Sequence, residues 1–300
     1  MTATGAPRDF TVRLIELLTA ASIEIPAKPA LVETLRGAFD PGTEVFVNLP
    51  PNGDTGAVVA TAVALRRAGF HPVAHVAARN LASAAELGNY LSRLVGDAGA
   101  DRALLIAGDR RPSAGPLASV ADLMATGRIE ASGLGAVGFA GHPEGLPFAE
   151  PTALSQALVA KCAGARKAGL APFIVTQFCF EARPILDFLA ELDRLGIEAP
   201  VRVGVAAPAS LATLVKFAVR CGVGNSLRTL RAQPKTVGRL IGEAGPEDVL
   251  HDLAVGLALV PRDRVTGIHF YAFGGVAKAA EWIEMTLARL YSAISRTASG

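Results

Sequence analysis

The feature that most constrains this chain is a repeated alternation: eight short apolar runs, each followed by a stretch with helical periodicity. The runs are Ala21–Pro26, Glu44–Val47, Pro72–Ala77, Ala103–Ala107, Gly135–Ala140, Ile174–Glu181, Val201–Val205 and Gly267–Ala272. Short β-branched and aromatic runs of this kind suit strands covered on both faces, which is the habit of parallel sheets. Helical patterns are read over 10–20, 28–39, 56–68, 81–96, 117–126, 152–168, 184–195 and 276–295. Three more helical pieces, 209–220, 235–243 and 247–259, form an insertion before the last strand. Eight strands alternating with helices, without a linker or a shift in composition, predict an α/β chain folded as one (β/α)₈ TIM barrel over residues 1–300, with an N-terminal helix and extra helices between strands 7 and 8. A doubly wound open sheet is the alternative.

The chain has 300 residues, 51% of them hydrophobic, so a large core is within reach. Lys plus Arg number 29 against 27 for Asp plus Glu, which leaves no basic excess for nucleic acid or an anionic membrane. A small-molecule partner is the expectation, with a homo-oligomer left open. The three cysteines, Cys162, Cys179 and Cys221, lack CxxC spacing and have no histidine at metal-finger spacing, so buried thiols and no metal site are expected. No signal core or membrane-length apolar run is found, and the chain reads as cytoplasmic.

In a barrel, ligands bind at the C-terminal ends of the strands. Polar residues at those ends are Glu24, Asn48, His75, Asp109, His142, Gln177 and Tyr271. Gln177 sits in the most apolar of the runs. A buried carboxamide without partners costs roughly 1–3 kcal/mol, so either protein groups or a ligand should satisfy it. Glu24 and Asp109 are the natural proton carriers, because a carboxyl in an apolar mouth can act as a general acid near neutral pH. Each has a plainer reading as a helix cap or as the partner of Lys28, Arg110 or Arg111. Gly133–Gly138 matches GxGxxG but runs into a strand, so it lacks the strand-turn-helix context of a dinucleotide site. Gly108-Asp109-Arg110-Arg111 could meet a phosphate or the polar ring of a cofactor, although solvated arginines are the commoner case. His75 and His269 each stand in an apolar strand and read as core histidines.

Several of these segments, in this order, resemble the methylenetetrahydrofolate reductases, (β/α)₈ barrels that usually carry FAD. Val175-Thr176-Gln177-Phe178-Cys179-Phe180-Glu181 is similar to the family's TQFFFD-like strand, and His269-Phe270-Tyr271 to its HFYTLNR-like eighth strand. Ser22–Pro26 is similar to SFEFFPP, Ala74-His75-Val76 to PHLTC, Ala107-Gly108-Asp109 to RGD, and His142-Pro143-Glu144 to YPEVH. The resemblance implies an oxidoreductase of one-carbon metabolism, a step toward methionine biosynthesis. It would interconvert methylenetetrahydrofolate and methyltetrahydrofolate by hydride transfer, with NADH or NADPH as the ultimate donor. It implies that Glu24 protonates a folate nitrogen, that Gln177 binds the pterin, that Asp109 lies between flavin and pterin, and that Phe217 stacks on folate or nicotinamide. It implies a flavin side made of Thr55, His75, Gly108, Asp109, Ala140, His142 and Arg166. The chain departs from the pattern at Ala107 for the arginine of RGD, His142 for the tyrosine of YPEVH, Leu146 for its histidine, and Gly274-Gly275 for the Asn-Arg after the eighth strand. Three versions follow: hydride transfer through FAD, which is favoured; direct transfer from nicotinamide to folate; and a folate-binding accessory barrel without redox chemistry.

Overall fold

The computed structural model describes residues 10–223, 243–258, 260 and 263–297. Its strands are β1 (Ser22–Pro26), β2 (Glu44–Asn48), β3 (His71–Ala77), β4 (Arg102–Ile106), β5 (Ala136–Gly141), β6 (Ala171–Thr176), β7 (Val201–Ala206) and β8 (Val265–Tyr271). They close into a parallel barrel in which each strand neighbours the next in sequence and β8 neighbours β1. The helices are α1 (Phe10–Thr19), α2 (Val32–Arg36), α3 (Thr55–Arg67), α4 (Ala84–Gly96), α5 (Val120–Ala125), α6 (Pro151–Lys167), α7 (Ala182–Arg194), α8 (Leu211–Cys221), α9 (Glu247–Leu257) and α10 (Val276–Thr297). This is the (β/α)₈ TIM barrel that the alternation predicts. Among the described residues no helix is long and apolar enough to cross a membrane.

Several element boundaries differ from those the patterns suggest, and side-chain caps explain most of them. Helix α4 begins after Ser83, whose hydroxyl accepts from the Glu86 amide. Helix α5 begins after Ser119, which forms a reciprocal capping box with Asp122. The stretch 28–39 shrinks to a 3₁₀ turn at Pro29–Leu31 followed by the short α2. The largest change is in the sixth run: β6 ends at Thr176, so Gln177–Glu181 lies in the loop that enters α7. Of the insertion before β8, α8 and α9 are present. The helical piece read over 235–243 lies outside the described residues, except for Glu243, which with Ala244 pairs antiparallel to Ala209–Ser210.

Two compact units divide the chain. The first comprises 22–141 and 151–175. Strand register puts Glu24 level with Phe46, Phe46 with Val73, and His75 with Leu104. Phe46, Val73, Leu104, Phe173 and Val175 pack there as one buried cluster. Each large side chain so buried contributes about 1.5–3 kcal/mol. Gly138 makes room for it, since a Cβ at that position would lie 2.4 Å from the Phe173 ring.

The second unit comprises 10–21, 142–150 and 176 onward. Its core gathers Phe178, Ala206, Ala209, Leu214, Ala218 and Val223, with Phe180, Phe217, Tyr271 and Phe273 packed against them. Helix α1 is pinned by the buried Arg13, which pairs with Asp263 at 2.6 Å and donates to the Val265 carbonyl. Leu14, Ile15, Leu17 and Leu18 face inward, whereas Phe10 and Val12 are exposed. Phe10 instead sets its ring edge-on to His251.

Candidate functional site

Side chains alternate along a strand, so residues two apart share a face. In the first unit this carries β2 and β3 from an apolar to a polar residue as they run toward their C-terminal ends. Phe46 is followed on the same face by Asn48, and Val73 by His75. Glu24 joins them on β1. The Asn48 carboxamide donates from Nδ2 to Glu24 Oε1 at 3.3 Å. His75 Nε2 lies 3.3 Å from Glu24 Oε2, at ion-pair distance though not aligned as a hydrogen bond. The side chains of His75 and Glu24 are only 9% and 16% exposed, so both sit largely out of water. The Tyr90 hydroxyl, on α4, donates to the His75 carbonyl and fixes the backbone behind it; burial pushes that phenol well above its usual range. His75, read from sequence as a lone core histidine, therefore has a carboxyl partner.

The β3–α4 and β4–α5 loops form a second polar group in this unit. The Arg79 amide donates to the Ala107 carbonyl, its carbonyl accepts from the Ala114 amide, and its guanidinium donates to the carbonyls of Gly108 and Ala118. Arg79 thus staples the loop that carries Asp109. Gly108 has φ +81°, and a Cβ there would come 3.0 Å from that of Ala77, so glycine is required. Asn80, which the sequence reading overlooked, is buried beside it. Its Nδ2 donates to the Pro50 carbonyl at 2.8 Å, while its Oδ1 has no partner among the described residues. The turn chemistry around Gly108 was a signal for this cluster, but nothing in the sequence marks Asn80. Asp109 itself is exposed, so the apolar enclosure expected around it is absent.

FAD needs cations or free backbone N–H groups for its pyrophosphate. Thr55 opens α3, but the N–H groups of Gly56 and Ala57 at that helix start already donate to the Asp54 carboxylate, whose charge would repel a phosphate. Arg166 is exposed in the last turn of α6, just ahead of β6, and so stands at the N-terminal end of that strand, away from where barrel ligands bind. His75 is engaged with Glu24. Ala140 is half-buried on β5, on the same face as Gly138, and brings no charge; His142, half-buried, opens the turn closed by the Gly145 amide. With Ala107 in place of arginine, these residues do not fit FAD. The GxGxxG stretch offers no substitute: Gly133 ends a 3₁₀ turn with φ +86° and the chain then enters β5.

In the second unit Gln177 follows directly on β6. Its Nε2 donates to the Cys221 carbonyl at the end of α8, and its Oε1 is buried with no partner among the described residues. Around it stands an aromatic wall. Phe217 stacks on Phe273 at 4.0 Å between ring centres with 13° between planes, and Tyr271 stacks on the same Phe273 at 5.7 Å. Phe178 meets Tyr271 and Phe273 edge-on. The Tyr271 hydroxyl donates to the Thr176 carbonyl, and Thr176 Oγ1 accepts from the Gly204 amide, so the wall is tied to the ends of β6 and β7. Phe273 was missed from sequence because it lies just past β8. His269 is fully buried and edge-on to Tyr271, as a core histidine should be.

No protein-family model matches the chain. The chemistry must therefore be argued from the side chains. A buried carboxyl with one oxygen on a carboxamide N–H and the other facing an imidazole can hold or release one proton at a fixed position. A stack of parallel rings beside a carboxamide is suited to a planar, polar-edged heterocycle.

Cys162 and Cys179 are buried and free, as expected, and Cys221 is half-buried. Burial pushes both buried thiols up, and for Cys179 the Glu144 carboxylate adds to the effect, so neither is a ready nucleophile.

Proposed function

We propose that this protein is an oxidoreductase of the methylenetetrahydrofolate reductase type, interconverting methylenetetrahydrofolate and methyltetrahydrofolate with hydride from NAD(P)H. The observation that carries the reading is Glu24: a carboxyl near the C-terminal end of a barrel strand, largely buried, with one oxygen accepting from Asn48 and the other facing His75. A protein that only bound folate would have no use for such a group.

In the reductive direction, Glu24 gives its proton to the folate nitrogen that leaves the one-carbon bridge. The O–H bond breaks, an N–H bond forms, the C–N electron pair goes to nitrogen, and the bridge opens to an iminium. Hydride addition to the iminium carbon then completes the methyl group. Asn48 steadies the carboxylate that remains. The second unit by itself offers the Gln177 carboxamide to the edge of a polar heterocycle and the face of Phe217, seated on Phe273, to a planar ring. Asp109 adds negative charge next to the cationic intermediate, which favours its formation. Because the expected flavin residues do not fit FAD, hydride is assigned to pass directly from the nicotinamide.

An anaerobic absorption spectrum of the purified protein followed by NADH oxidation with methylenetetrahydrofolate tests this. A colourless protein that turns over supports direct transfer. A yellow protein that NADH bleaches and methylenetetrahydrofolate recolours restores the FAD route. A colourless protein that binds folate without oxidising NADH overturns the enzyme reading in favour of an accessory barrel.

A further inference from the structure

We propose that His75 is the positioning residue of the acid: its imidazole, facing Glu24 Oε2, sets where on the carboxyl the transferable proton sits. This rests on the reductase reading for its purpose, but its physical content does not. Asn48 donates to Glu24 Oε1, and a carbonyl-type oxygen accepts better than a hydroxyl, which favours the proton of a neutral Glu24 on Oε2. Oε2 is the atom that His75 Nε2 faces at 3.3 Å. Three protonation patterns satisfy both contacts: Glu24 as the acid with a neutral imidazole accepting at Nε2, a carboxylate facing an Nε2–H imidazolium, or, with one proton fewer, a carboxylate facing the Nε2–H of a neutral ring. The first two differ only in the position of one proton along the Oε2···Nε2 line.

The ring is set for this role by its strand. His75 follows Val73 on the inward face of β3, and Tyr90 locks its carbonyl from behind. Other titratable groups on the elements packed about it lie elsewhere: Glu44 and Arg102 pair at the starts of β2 and β4, and His71 meets Arg66 at the start of β3. After Glu24 has given its proton to the substrate nitrogen, the imidazole can take up a proton from solvent at Nε2 and pass it to Oε2, which resets the acid. This gives His75 a task different from the flavin contact that the family resemblance implies.

Two readouts test it. In substrate-free ¹⁵N-labelled protein, the His75 ring-nitrogen resonances at neutral pH are compared between wild type and Glu24→Gln, an isosteric change. The proposal expects the Nε2 resonance to move when the carboxyl is lost; an unmoved resonance overturns it. This measurement needs no turnover, so its outcome is independent of whether the reductase reading holds. In turnover, His75→Gln should lower kcat about tenfold and displace the acid-dependent limb of its pH profile, with KM for folate nearly unchanged. His75→Asn, shorter and unable to reach Oε2, should show the same displacement. Variants that lose rate at every pH equally, with the profile in place, would make His75 a structural residue and overturn the proposal.

Discussion

At the scale of single residues, the chain commits most at Glu24. Glu24→Gln keeps the shape and the Asn48 contact but removes the transferable proton. Loss of a general acid usually costs 10²–10⁴ in rate, so turnover of methylenetetrahydrofolate should fall by roughly that factor with the circular dichroism spectrum unchanged. The buried cysteines support a prediction of a different kind. Burial raises the thiols of Cys162 and Cys179 above their ordinary value of 9.0 in the native state. In the unfolded chain they ionise as pH rises past that value, whereas in the folded chain they stay protonated. The native state then binds more protons than the unfolded state, so stability is intact below about pH 9 and falls as pH rises above it. Urea midpoints measured at about pH 8 and about pH 10 should show the decline, and Cys179→Ala should flatten it.

At the scale of elements, the sharpest constraint is the contact between β5 and β6 at Gly138. A methyl group there would lie 2.4 Å from the Phe173 ring and 3.0 Å from Leu104 Cδ1, both packed in a buried cluster with nowhere to retreat. Gly138→Ala should cost about 1–3 kcal/mol in urea unfolding, the usual penalty of overpacking, although alanine is the better residue for a strand on propensity alone. The strands were legible in the sequence because doubly covered strands are apolar throughout and short. Helix starts were less so: Ser83 and Ser119 end the preceding loop through their own hydroxyls, while the periodic pattern continues past them. The run through Gln177–Glu181 looked like strand because its aromatic residues are as apolar as a strand's. In the fold Phe178 and Phe180 serve a local aromatic core instead. The pairing of Glu24 with His75 was not legible, since it joins strands that are not neighbours and depends on the inward faces of both. Arg166 was misplaced for a related reason: a helix that precedes a strand ends at the strand's beginning, so a cation in its last turn cannot reach the mouth.

For the whole molecule, function and stability meet in ligand linkage. A compound that binds only the folded chain stabilises it by RT ln(1 + [L]/Kd), about 2.7 kcal/mol at a hundred times Kd, because folding and binding draw on one equilibrium. Methyltetrahydrofolate should therefore raise the thermal midpoint by several degrees in a concentration-dependent manner, as expected for a chain of 300 residues. Glu24→Gln should retain most of that rise if, as proposed, the acid serves the chemical step and not the binding. Phe217→Ala should lose much of it, since stacking on an aromatic pair contributes about 0.5–1.5 kcal/mol beyond simple burial. FAD should leave the midpoint where it is, because Asp54 occupies the helix start, Arg166 faces the other end of its strand and Ala107 carries no guanidinium. Differential scanning fluorimetry of the three proteins with each compound separates the roles. A rise with FAD would show a phosphate site made by other residues, and no rise with any folate would remove the substrate class assigned to the aromatic wall.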